Sequence, residues 1–136
     1  MKILLADDSK FLRMATERAL ARAGYSVTTA CDGERVLELA REMSPDLILL
    51  DMLLPKMTGL DVLKMLKKNK ATAEIPVVVL TGLSQKNAAR LHQEGAFAFL
   101  EKSELRLDKG CDGLLAAVAD IFKRLPEAHH AAGSNS

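Results

Sequence analysis

The 136-residue chain has little bulk character that would single out a partner. Its formal net charge is only +1, so no overall field draws it to nucleic acid or to a membrane surface. It has just two cysteines, Cys31 and Cys111. They lack metal-ligand spacing, and two are too few for a disulfide framework, so a reducing cytoplasmic setting is expected. No apolar run approaches the roughly 20 residues of a membrane helix. The N-terminal apolar stretch is too short for a signal peptide and meets Asp7-Asp8 at once. Gly-x-Gly-x-x-Gly and the Walker pattern are both missing, which leaves no glycine-rich loop to hold a nucleotide. These absences leave a soluble domain, residues 1–125, and a polar tail, 126–136, expected to be disordered.

What is present is a repeated alternation of short apolar runs and helical patterns. Three runs are solidly apolar: Lys2 to Ala6, Leu47 to Leu50, and Pro76 to Leu80. Each reads as a strand buried on both faces. Two others are mixed: Tyr25 to Ala30, with Thr28 and Thr29, and Ala96 to Leu100, which alternates small and large. Helical spacing follows each strand. It takes in Phe11, Leu12, Ala15, Ala19 and Leu20, then Val36, Leu37, Ala40 and Met43, then Leu60, Val62, Leu63 and Leu66. A weaker pattern runs from Ser84 to Glu94, and a strong one runs from Leu114 to Leu125. Lys64, Lys67, Lys68 and Lys70 crowd the end of the third helix and read as a solvated face that complements its dipole. Strand-helix five times over predicts a doubly wound α/β fold with a five-stranded parallel sheet. Placing the solid runs centrally and the mixed ones at the edges gives the order 2-1-3-4-5, a flavodoxin-like arrangement that is itself a standard doubly wound order.

That order brings chemistry to one edge. The first strand ends in Asp7-Asp8, the third in Asp51, the fourth in Thr81, and the fifth leads to Lys102. Ligands bind at the carboxyl ends of strands in open α/β sheets. Three carboxylates in one crevice repel, and a hard divalent cation resolves the conflict. Oxygen ligands from few carboxylates suit Mg2+, which keeps several waters and shares itself with a phosphate. With no nucleotide loop, the phosphoryl group is expected on the protein. Asp51 is a candidate nucleophile, because carboxylates form aspartyl phosphates. Lys102 and the Thr81 hydroxyl would stabilise the phosphoryl oxygens.

Ile3-Leu4-Leu5-Ala6-Asp7-Asp8-Ser9, the turn Asp51-x-x-Leu54-Pro55-x-Met57-Thr58-Gly59, Leu80-Thr81-Gly82, and Gly95-Ala96 followed by Phe99 and Lys102 stand in order, each at a strand end. Over residues 1 to about 125 the chain resembles a response-regulator receiver domain of two-component signalling. The resemblance implies Mg2+ at Asp7, Asp8, Asp51 and the backbone carbonyl of Leu53. It implies phosphorylation of Asp51 by a histidine kinase or phosphotransfer protein, with Thr81 and Phe99 as switch residues. It also implies an output protein, or a homodimer, on the surface of the fourth helix, fifth strand and final helix. Leu53 and Leu83 occupy the positions that flank the attacking water in the family, and are expected to slow loss of the phosphoryl group. Ser103 stands where the family has proline after the lysine, so a trans peptide is expected there. Phe99 lacks a tyrosine's hydroxyl, and any switch must work by packing.

Other classes fit less well. An unphosphorylated scaffold that only binds a partner does not require acids at all three positions. An aspartyl-phosphate phosphatase needs a second Asp two residues after the nucleophile, and Leu53 is there. A flavodoxin-like cofactor binder needs a hydroxyl- and glycine-rich loop where Asp7-Asp8 stands. The expectation is therefore a switch that takes part in its own phosphorylation and dephosphorylation, and not an enzyme acting on other substrates.

Overall fold

A computed structural model describes residues 1–52, 54–81, 93–101 and 112–125. Five parallel strands, β1 (Lys2–Ala6), β2 (Ser26–Ala30), β3 (Leu47–Asp51), β4 (Val77–Thr81) and β5 (Ala98–Glu101), form one sheet in the order β2-β1-β3-β4-β5. The helices are α1 (Lys10–Arg22), α2 (Gly33–Met43), α3 (Gly59–Lys68) and α4 (Asp112–Arg124), the last being the final helix anticipated from Leu114 onward. The expected helix over 84–94 falls largely, and the tail 126–136 wholly, outside the described residues.

The sheet order follows from burial. Every residue of β3 is buried, and so are the last four of β1, whereas β2 and β5 are mostly half-buried. Alternate residues of the central strands point to opposite faces. Ile3, Leu5, Leu47, Leu49, Val78 and Leu80 pack with Ala19 and Leu20 of α1 and with Leu114, Val118, Ile121 and Phe122 of α4. Leu4, Ala6, Ile48, Leu50, Val77 and Val79 pack with Val36 and Ala40 of α2 and with Val62, Leu63 and Leu66 of α3. The two helix layers thus bury both sheet faces, as a parallel sheet requires.

Helices α1, α2 and α3 each start at a side-chain cap. The Ser9 hydroxyl accepts from Leu12 N, the Asp32 carboxylate from Arg35 N, and the Thr58 hydroxyl from Asp61 N. These caps satisfy N–H groups that the first helical turn leaves without an intrahelical partner. The cap at Thr58 sits beside a very close approach. A Cβ at Gly59 would stand 2.6 Å from Asp51 O and 2.7 Å from Met52 Cα. Glycine lets α3 begin directly against the end of β3, where Gly59 N donates to Met52 O at 2.8 Å.

Two expectations need correcting. Phe11 lies on the helical spacing of α1 but is 70% exposed, while Thr16 is buried in its stead. The lysines of α3 are not uniformly solvated. Lys68 and Lys70 are exposed, but Lys67 is half-buried and its Nζ donates to Ala73 O (3.1 Å) and Ile75 O (2.8 Å). Its stem lies under Gly95, where a Cβ would meet Lys67 Cγ at 2.9 Å. Lys67 therefore ties the end of α3 to the loop that leads into β4, and burial pushes its pKa below 10.5.

Two substitutions test this account. Gly59→Ala should lower the urea midpoint without changing the m-value and cost about 1–3 kcal/mol, because the new methyl meets backbone that cannot step aside. Lys67→Met should cost about 1–3 kcal/mol at neutral pH by leaving two loop carbonyls without a charged donor. The folded Lys67 gives up its proton below the unfolded value of 10.5. The folded state then binds fewer protons, and wild-type stability gains on the variant as pH rises through the window just below that value. Chemical denaturation of both proteins across that range would show the gap widening; a constant or narrowing gap contradicts the assignment.

Candidate functional site

The β1·β3 register pairs Ala6 with Leu50, so Asp7 leaves β1 beside the end of β3 at Asp51. Both are nearly sealed from solvent, Asp7 at 1% and Asp51 at 4% exposure. The next residue, Asp8, is exposed. On the far side of β3, Asp51 pairs with Leu80, which places Thr81 one step further on at the same edge. Thr81 pairs in turn with Glu101, the last residue of β5, and Lys102 follows it in the chain. The edge of the sheet thus collects Asp7, Asp51 and Thr81 in strand order, as the sequence suggested.

Asp7 is held from three directions. Its N–H donates to Ala30 O of β2 at 3.3 Å, and its carbonyl accepts from Arg13 Nη1 at 2.9 Å. Its carboxylate Oδ1 accepts from Ser9 N at 2.9 Å. That last bond spans the turn from β1 into α1. Sequence reading missed Arg13, whose half-exposed side chain braces the backbone of a site residue from the second turn of α1. A cation on a polar helix surface gives no local signal of such a bond.

Beyond Asp51, Met52 N donates to Leu80 O at 3.0 Å, which extends the β3·β4 ladder by one bond. Phe99 lies in β5 opposite Val79, half-buried against the α2/α3 side of the core. Leu53, Leu83, Lys102 and Ser103 lie outside the described residues.

The donor set at this edge is oxygen-only, with two carboxylates buried on neighbouring strands. That chemistry suits a hard cation and not a soft or nitrogen-seeking one. Among the described residues, however, no group of three or more His, Cys, Asp or Glu side chains is placed to hold a metal ion. Asp7 and Asp51 are buried at this edge and Asp8 is exposed beside them. Nor, among the described residues, is any helix long and apolar enough to cross a membrane.

Comparison with known proteins agrees with this layout. The profile of the response regulator receiver domain matches residues 3–109. The gliding motility regulatory protein of Myxococcus xanthus is 41% identical over 110 residues, covering 79% of this chain and 14% of that protein. The DNA-binding transcriptional regulator NtrC of Escherichia coli (strain K12) is 39% identical over 101 residues, covering 74% and 21%. The chain therefore spans well under half the length of these curated relatives. Among solved structures, the chemotaxis response regulator CheY4 of Vibrio cholerae superposes with a TM-score of 0.79 at 29% identity, covering 88% of this chain and 97% of that one. The Mn(2+)-bound form of response regulator Rcp1 gives 0.69 at 30% identity, covering 79% and 84%. With its sheet order, its acidic edge and this similarity across most of its length, the chain belongs to the response-regulator receiver family of two-component signalling.

Proposed function

We propose that the chain is a phosphorylation switch in which Asp51 accepts a phosphoryl group from a histidine kinase or phosphotransfer protein. The observation that carries this reading is the burial of Asp7 and Asp51 at the ends of adjacent parallel strands. A carboxylate oxygen of Asp51 attacks phosphorus, the bond from phosphorus to the donor's imidazole nitrogen breaks, and the imidazole leaves and takes up a proton. The product is an acyl phosphate on Asp51. Asp7, Asp8, Asp51 and the Leu53 carbonyl would hold Mg2+, which supplies charge neutralisation for the phosphoryl oxygens. Lys102 and the Thr81 hydroxyl would bind those oxygens, and the Thr81 shift would let Phe99 repack.

The response would appear at β5 and α4, together with the helix expected over 84–94, where an output protein or a second copy would dock. On this reading the chain works in the cytoplasm, contacts no nucleic acid or membrane itself, and catalyses only its own phosphorylation and dephosphorylation. A second reading is a receiver-like scaffold that binds its partner unphosphorylated, since among the described residues no three acidic side chains are grouped to hold a metal ion.

Intact mass after incubation with Mg2+ and a small acyl phosphate separates the two. One added phosphoryl group on wild type and none on Asp51→Asn supports the switch. No addition to either, even with a phosphorylated histidine donor, supports the scaffold. Leu53 and Leu83 lead to a further expectation. The wild-type acyl phosphate should be long-lived if apolar side chains at both positions hinder the attacking water, and Leu53→Asn should then shorten its lifetime severalfold. Rapid spontaneous loss from wild type would overturn that expectation.

A further inference from the structure

The loop between β3 and α3 contains a strained turn, and the start of α2 grips it. Met57 N donates to Pro55 O at 2.8 Å, closing a three-residue turn around Lys56. Lys56 sits at its centre with φ of +70°. This sense of γ-turn is rare and strained, and the left-handed region favours glycine, asparagine or aspartate over lysine. Something outside the turn must hold it.

Two independent contacts with α2 are available. The Lys56 ammonium stands 3.7 Å from Asp32 Oδ2 and 3.6 Å from Glu34 Oε2. Asp32 is itself fixed, because its other oxygen caps α2 by accepting from Arg35 N at 2.9 Å. The two carboxylates hold the ammonium's pKa above 10.5. One residue further, Met57 packs on Gly33, where a Cβ would lie 2.8 Å from Met57 Cβ. The first turn of α2 thus meets the loop by charge at Lys56 and by close packing at Met57.

We infer that Lys56 is a positioning residue whose ion pairs with Asp32 and Glu34 hold the strained turn and so fix the loop joining Asp51 to α3. The inference deepens the reading of Asp51 as acceptor and rests on it for its functional half. The clamp is exposed, with the Lys56 side chain at 55% and Glu34 at 63%. Its grip is therefore salt-sensitive, since the screening length falls from about 10 Å at 0.1 M to about 3 Å at 1 M ionic strength.

The test has two readouts on the full chain with Mg2+. The first is amide hydrogen exchange at Met57 and Gly59, whose N–H groups close the loop on Pro55 O and Met52 O. The second is the initial rate of phosphoryl uptake from a small acyl phosphate. In low salt, Lys56→Met should speed exchange at both amides by about threefold, the worth of one exposed ion pair. Lys56→Arg should preserve protection. Lys56→Glu should lose more, and Lys56→Glu with Glu34→Lys should regain part of it. In 1 M salt the differences should vanish, and uptake by Lys56→Met should be slowed in low salt only. Unchanged exchange in Lys56→Met, or a change that 1 M salt does not reduce, overturns the clamp. Faster exchange with an unchanged uptake rate overturns its positioning role. If wild type takes up no phosphoryl group while the exchange pattern is as described, the acceptor reading of Asp51 fails and the clamp stands.

Discussion

Two carboxylates forced together at the end of a sealed sheet are the constraint around which this structure is arranged. Asp7 and Asp51 are carried there by strands with no freedom to move apart, because Ile3 to Ala6 and Leu47 to Leu50 are wholly buried on both faces. A one-residue slip of β1 against β3 would relieve the crowding. It would also turn the core face of a strand toward the wrong helix layer. Apolar packing therefore dictates where the charges sit. Removing an ion from water costs several kcal/mol even after relaxation. The site answers with donors that are part of the fold, such as Ser9 N on Asp7.

The same economy appears where helices start. α3 begins against the backbone of Asp51 because residue 59 has no side chain, and α2 begins against Met57 because residue 33 has none. The connection after β3 is thus pressed from two sides by helix termini. A loop so confined has few conformations, and one of its residues, Lys56, is driven into the left-handed region. Confinement of this kind removes disorder from the segment that follows Asp51. It also makes that segment dependent on α2, an element that contributes no residue to the acidic edge.

The fold was legible because burial writes itself into composition. Three solid apolar runs against two mixed ones were enough to rank the strands from centre to edge, and the strand ends then named Asp7, Asp51 and Thr81. Long-range polar contacts were not legible. Lys64, Lys67, Lys68 and Lys70 look alike in one dimension, yet only Lys67 lies where its ammonium reaches Ala73 O and Ile75 O. Lys56 lies beyond β3, while its partners Asp32 and Glu34 stand at the start of α2, so no periodicity links them. Phe11 erred in the opposite direction: helical spacing marked it as core, but it is 70% exposed, while Leu12 beside it packs against the core.

On the proposed reading, a charge added at Asp51 must be felt at a protein surface, and the burial pattern says where the structure can yield. The central strands cannot, because their side chains are interlocked with two helix layers, and close-packed interiors switch between discrete arrangements without deforming smoothly. β5 is different. It is four residues long, only half-buried along its length, and bonded to the sheet on the β4 side. Phe99 lies in that strand opposite Val79, with the α2/α3 side of the core to pack against and partial exposure to solvent. On that reading, the ring would move between the core and solvent when Thr81, two residues beyond Val79, shifts. Phe99 has no hydroxyl to anchor it in either position, so on that reading the ring would respond to space alone.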